Sequence, residues 1–192
     1  MLENIEVGAR GWACQDYYPE DLPEEWQLDY YANAFSALLV PQAQWASWGV
    51  DGWEAFAESA DTLRWIGFEW LGGDASIHER LLAGLAQLEQ DGATEVGVLV
   101  LEGACPALPE YVGVTCKGAV AQGEWQWQAL SGAPLGVVEV LPQDLKAQRR
   151  LLEDFAASLP DKNSGAPFIV VQGCANIAQL KQFKQLVELL GL

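Results

Sequence analysis

Val96-Gly97-Val98-Leu99-Val100-Leu101 is an unbroken apolar run with no polar residue alternating through it. It has no side suited to water, which predicts a strand buried on both faces. Strands of that kind belong to parallel sheets covered by helices. Upstream, Ser76-Ile77-His78-Glu79 matches a capping box and opens a helix with an apolar stripe of Ile77, Leu81, Leu85 and Leu88. Before it, Arg64–Trp70 alternates, with Ile66, Phe68 and Trp70 on one face, and predicts another strand.

The same alternation extends to both ends of the chain. A short strand is expected at Ile5–Gly8, then a turn-rich stretch, Tyr17-Tyr18-Pro19-Glu20-Asp21-Leu22-Pro23. Leu28, Tyr31, Ala32 and Phe35 fall at helical spacing, and Ala37–Val40 reads as the second strand. Asp51-Gly52-Trp53-Glu54 reads as an acidic helix cap, with Trp53, Phe56 and Ala57 turned inward. Downstream, Tyr111–Cys116 and Gly136–Leu141 are strand candidates, with Trp125-Gln126-Trp127 as a short extended piece between them. A helix over Gln143–Leu159, a strand at Phe168–Val171 and a helix over Asn176–Leu190 complete the pattern. Strand-then-helix order throughout predicts a single α/β domain over residues 1–192 with a mainly parallel sheet. Two architectures fit: an abbreviated TIM-like barrel, or an open doubly wound sheet. A full barrel typically takes about 250 residues, so a barrel of 192 residues is expected to lack some helices.

Composition narrows the function classes. Hydrophobic residues make up 51% of the chain and charged residues 19%, enough for a core and against disorder. The 27 acidic and 10 basic residues give a net charge of -17. Such a surface repels nucleic-acid phosphates and anionic membrane, so neither is expected as a partner. Either solubility or a basic partner would account for the charge. No apolar run reaches the roughly 18 residues of a membrane span. Met1-Leu2-Glu3-Asn4 carries no basic region followed by an apolar stretch, so a cytoplasmic location is expected. Cys14, Cys105, Cys116 and Cys174 form no regular spacing and are expected as buried small hydrophobes in a reducing compartment. With one histidine, His78, no metal site or cofactor is expected.

Gly8-Ala9-Arg10-Gly11-Trp12, Tyr17-Tyr18-Pro19-Glu20, and Leu28-Asp29-Tyr30-Tyr31-Ala32 with Phe35 follow one another in an order that carries a family resemblance. They resemble the opening of the YecE-like family, a domain-of-unknown-function family with a TIM-barrel fold. Its members begin with a strand ending in Gly-Thr-Ser-Gly-Trp and pass through a Tyr-Pro-Glu loop into a helix carrying Tyr-Tyr and Phe. The resemblance covers about the first 45 residues. It continues weakly through Phe68, Val98–Pro106 and Tyr111–Lys117, and returns at Phe168–Val171 and the helix after it.

The departures bear on function. The family's second strand, approximately Val-Glu-Ile-Asn-Ser-Thr-Phe-Tyr, falls here on Leu38-Leu39-Val40-Pro41-Gln42-Ala43-Gln44-Trp45. Its acid has become Leu39 and its amide Pro41, and the Thr-Ser pair of the first strand has become Ala9-Arg10. A family lysine falls near Leu71, a glutamine near Leu101, and a Glu-Phe-Arg near Thr115-Cys116-Lys117. Barrel chemistry sits at the C-terminal ends of strands, so these changes remove a candidate acid–base or ligand-binding pair. The resemblance therefore implies a divergent, catalytically degenerate member, acting as a binding or assembly module.

Some residues could still carry chemistry at the expected strand ends. Arg10, beside Trp12, and Lys117 are candidate ligand-binding residues for a small-molecule anion. Glu69 and Glu102 are candidate general bases, and His78 a candidate catalytic histidine. The competing expectation is charges paired with one another or solvated on loops, and a first-turn histidine facing water. Gly173 and Asn176 lie where a strand meets a helix start, a place for phosphate; a plain N-cap at Asn176 is the alternative. Trp45, Trp48 and Trp53 form a cluster, and Trp125 and Trp127 a smaller one. They suit either a core or a surface binding a carbohydrate or a protein partner.

Overall fold

The computed structural model describes residues 5–91, 95–117, 127–129, 135–159 and 166–192. The strands are β1 (Ile5–Arg10), β2 (Ala37–Val40), β3 (Trp65–Trp70), β4 (Glu95–Val100), β5 (Gly113–Lys117), β6 (Trp127–Ala129), β7 (Gly136–Val138) and β8 (Ala166–Val170). The helices are α1 (Gln27–Ala32), α2 (Gln42–Trp45), α3 (Val50–Ser59), α4 (Ala75–Asp91), α5 (Leu145–Ser158) and α6 (Ile177–Leu190). One sheet holds all eight strands in the order β6-β5-β4-β3-β2-β1-β8-β7. Every pairing is parallel except β5 with β6. The fold is thus α/β, with seven parallel strands in a curled half-barrel and helices packed on it. No helix links β4 to β5, which residues 101–112 join as a loop. Of the Trp125-Gln126-Trp127 piece, Trp127 begins β6, and the other two residues lie outside the described residues.

Alternate residues along the strands sort into two apolar groups. Ile66, Phe68 and Trp70 of β3, with Val96, Val98 and Val100 of β4, join the helices in the larger core. Ala37, Leu39, Trp65, Leu99, Leu135, Val137 and Ile169 form a second, separate group. This smaller group draws on β2, β3 and β4 and on β7 and β8 across β1, so the sheet curls around it, as side-chain layers fill a barrel interior. The β1–β2–β3–β4 register places Arg10, Leu39, Gly67 and Gly97 in one row. A Cβ on Gly67 would lie 2.1 Å from the Trp65 ring, and one on Gly97 2.8 Å from it. The indole occupies the space that side chains at these two positions would need.

Tyr31 ties the first helix to the sheet. It is fully buried, accepts a hydrogen bond from the Ala9 backbone N–H (2.8 Å) and donates to the Ala37 carbonyl (3.0 Å). Its hydroxyl thus joins β1 to β2, and its ring packs on Phe35 at 5.0 Å. Tyr17 meets Tyr18, Tyr30 and Phe35, with the Lys181 ammonium 4.3 Å from its ring centre. The tyrosines and the phenylalanine that carry the family resemblance are therefore packing residues.

Several local expectations are corrected. Asp74, not Ser76, caps α4, accepting from the backbone N–H groups of Ser76 and Ile77. The helix of Asp51 begins one residue earlier, at Val50, with Gly49 as its cap. Cys14 and Cys174, 160 residues apart, form a disulfide instead of standing as separate small hydrophobes. It links the loop after β1 to the turn at Gly173–Asn176. Among the described residues, no helix is long and apolar enough to cross a membrane.

Candidate functional site

The C-terminal ends of the parallel strands hold a two-pronged ion pair. Arg10, the last residue of β1, donates from Nε to Glu69 Oε1 at 2.5 Å and from Nη2 to Oε2 at 2.9 Å. Glu69 is only 2% exposed, whereas the Arg10 side chain is 39% exposed. The partners stand on β1 and β3, with Leu39 of β2 between their strands and fully buried. The hydrogen bond to Glu69 holds the guanidinium above its ordinary pKa, with smaller help from the charges of Glu69 and Glu139. Glu139, exposed just past β7, accepts from Gln172 at 3.1 Å.

The end of β3 is braced from behind. The buried Trp45 donates its indole N–H to the Glu69 carbonyl at 3.0 Å and stacks on Trp70. Gln42, at the start of α2, accepts from the Leu71 N–H and donates to the Gly72 carbonyl. Neither contact was visible in the sequence, because α2 is only four residues long and shows no periodicity. With Glu69 fixed in position and both its oxygens bonded to Arg10, it is held as a counter-ion, not as a free base.

Among the described side chains, none of the other predicted residues bonds to this pair. Glu102 is exposed in the loop after β4. His78, in the first turn of α4, is half-buried instead of facing water; its Nε2 meets the Ala107 carbonyl at 2.8 Å, and its ring lies edge-on to Trp70. It clasps the 101–112 loop to the helix. Trp12 is half-buried against Trp48 and Phe56, and its carbonyl accepts from the Tyr18 hydroxyl. Lys117 ends β5 on the same rim of the sheet; its side chain lies outside the described part. Gly173 is buried, with Ala9, Leu180 and Val170 within 3.3 Å of where a Cβ would stand. Asn176 caps α6 by accepting from the Gln179 N–H. These two positions serve packing and capping.

The tryptophans divide. Trp45 is fully buried and Trp53 is 5% exposed, so both belong to the core. Trp48 is half-buried and meets Trp53 edge-on at 5.0 Å. Trp48 and Trp53 line a cleft of about 460 Å³ between the α2–α3 turn and α4. Neither Arg10 nor Glu69 is among the residues lining this cleft. Compared with known proteins, the chain matches no family model, no curated protein and no solved structure.

Proposed function

We propose that this protein is a divergent, shortened YecE-like barrel without catalysis of its own, serving as a binding or assembly module. The observation that carries the reading is the Arg10–Glu69 pair. The buried carboxylate at the strand ends already has both oxygens bonded, and the guanidinium that would take an anion is committed to it. The motif residues behind the family assignment hold β1, β2 and α1 together, a structural duty that survives the loss of chemistry.

A cytoplasmic location is part of this reading. In that compartment glutathione and thioredoxin would favour Cys14 and Cys174 as two thiols over the disulfide.

The test is a screen for turnover by NMR over phosphorylated and carboxylated metabolites, paired with a thermal-shift screen of the same compounds. The expected result is ligand-dependent stabilisation without product. Turnover of any phosphorylated or carboxylated compound, lost in Glu69→Gln, would replace the module with an enzyme working at the strand ends.

A further inference from the structure

Resting on the reading of the chain as a binding module, the geometry points to the place and the ligand: we propose that the cleft between the α2–α3 turn and α4 binds a small carboxylate with a flat apolar body. Arg80 takes the carboxylate, and the part-exposed Trp48 packs against the body.

The walls include Trp48, Val50, Trp53, Arg80, Ala83 and Gln87, and Arg80 is the one charged residue of the lining. That is unexpected in a chain with 27 acidic and 10 basic side chains. Elsewhere Arg10, Arg64, Arg149 and Lys184 are each paired with a glutamate. Arg80 instead donates through Nη1 to the Ala46 carbonyl at 2.6 Å, and no described carboxylate pairs with it. That bond fixes the guanidinium in the wall and leaves its other N–H groups for a planar acceptor, the geometry a carboxylate matches.

Trp53 supplies an independent observation. Its ring is packed so closely on α4 that a Cβ on Gly84 would lie 2.3 Å from it, yet its buried indole N–H has no hydrogen-bond partner among the described residues. A buried donor without an acceptor is rare and costly, and this one belongs to a ring that lines the cleft. Val50, 72% exposed, adds an apolar lip. The volume suits a small organic molecule. A sugar fits less well, because it needs an open ring face, and here only Trp48 is part-exposed, with Trp53 edge-on to it.

The experiment uses the full chain and 3-phenylpropionate as the probe, followed by calorimetry and by the indole N–H signals in NMR. Saturable binding is expected, with the signal assigned through Trp53→Phe moving on titration. Arg80→Gln and the uncharged 3-phenylpropanamide should each weaken binding at least tenfold, and Trp48→Leu at least threefold. Lys146→Gln, which removes a charge on the exposed face of α5, should leave it unchanged. If Arg80→Gln fails to fold, Arg80→Lys serves instead, with several-fold weaker binding expected from loss of the fork. Absence of saturable binding across benzoate to 4-phenylbutyrate, or binding indifferent to Arg80, would overturn the cleft assignment. Binding lost in Arg10→Gln but kept in Arg80→Gln would move the ligand to the strand ends, ending this proposal while leaving the binding-module reading intact. Conversion of the probe to a product would overturn that reading and leave the cleft standing.

Discussion

Arg10 holds Glu69 across an intervening strand, with two hydrogen bonds at 2.5 and 2.9 Å. Their strands are separated by β2, whose Leu39 is in register with Arg10 on one side and Gly67 on the other. Glu69 stands two residues beyond Gly67, so a glycine and a leucine lie beneath the bridge. Burial of Glu69 at this point depends on Arg10 being there.

Removal of one partner should therefore cost more than removal of both. Arg10→Ala leaves a buried carboxylate without its counter-charge. A fully buried pair broken this way loses about 3–5 kcal/mol, and the partial exposure of Arg10 lowers the expectation to about 1–3 kcal/mol. The double variant Arg10→Met with Glu69→Leu should lose less than Arg10→Met alone. Urea unfolding of the four proteins of the cycle measures this. Strictly additive losses would mean that the two side chains are not coupled.

Trp65 makes a second prediction. Trp65→Ala empties the middle of the curled sheet and should cost about 3–5 kcal/mol. Gly67→Ala pushes a methyl into the ring and should cost about 1–3 kcal/mol. Combined, Trp65→Ala and Gly67→Ala should cost less than the sum of the two singles, because the smaller residue vacates the space the methyl needs. Denaturant midpoints would settle the matter, and a double variant no better than additive would show that the ring does not fill that space.

The strands and long helices were legible because periodicity survives wherever a segment meets the large core. Ala37–Val40 appeared with its true bounds, and the helix over Asn176–Leu190 within a residue. The inner face was less legible. On β3 the sequence displays Ile66, Phe68 and Trp70, whereas the opposite face, Trp65-x-Gly67-x-Glu69, has no apolar repeat; its logic is one large ring above two glycines on neighbouring strands. Asp74 and Ser76 are both acceptable caps two residues apart, and only backbone geometry chooses between them. Arg10 and Glu69 could each be singled out as charged residues at strand ends, but their mutual pairing depends on register between β1, β2 and β3. Arg80 gave no signal at all, because its distinction is that no described carboxylate pairs with it.

The Cys14–Cys174 link closes 160 residues, and chain-entropy arguments put its contribution at no more than about 5 kcal/mol. Reductant should therefore lower the melting temperature, and Cys14→Ser should reproduce the loss and abolish the response to reductant. Alkylation of the unfolded chain followed by intact-mass measurement should add two labels before reduction and four after it, the first two falling on Cys105 and Cys116. Four labels without reductant would establish that the two cysteines stand as thiols in the protein as purified.

The tyrosines predict a loss of stability at high pH. Burial pushes the phenols of Tyr31 and Tyr18 far above their ordinary value of 10.0, and raises Tyr17 and Tyr111 as well. In the unfolded chain each of these groups ionises near 10, while the folded chain keeps its protons. Above that pH the folded state binds more protons than the unfolded one, so stability falls as pH rises. Below about pH 10 the contribution is fully present; it is lost progressively as pH climbs toward the folded-state values. Urea midpoints should thus be level from pH 8 to 9.5 and decline steeply by pH 11. Tyr31→Phe should flatten part of that decline. It should also cost about 1–3 kcal/mol at neutral pH, because the Ala9 N–H and the Ala37 carbonyl lose the hydroxyl that joins them. A midpoint unchanged to pH 11 would mean that the phenols are not sequestered in this way, and the clamp between β1 and β2 would need another explanation.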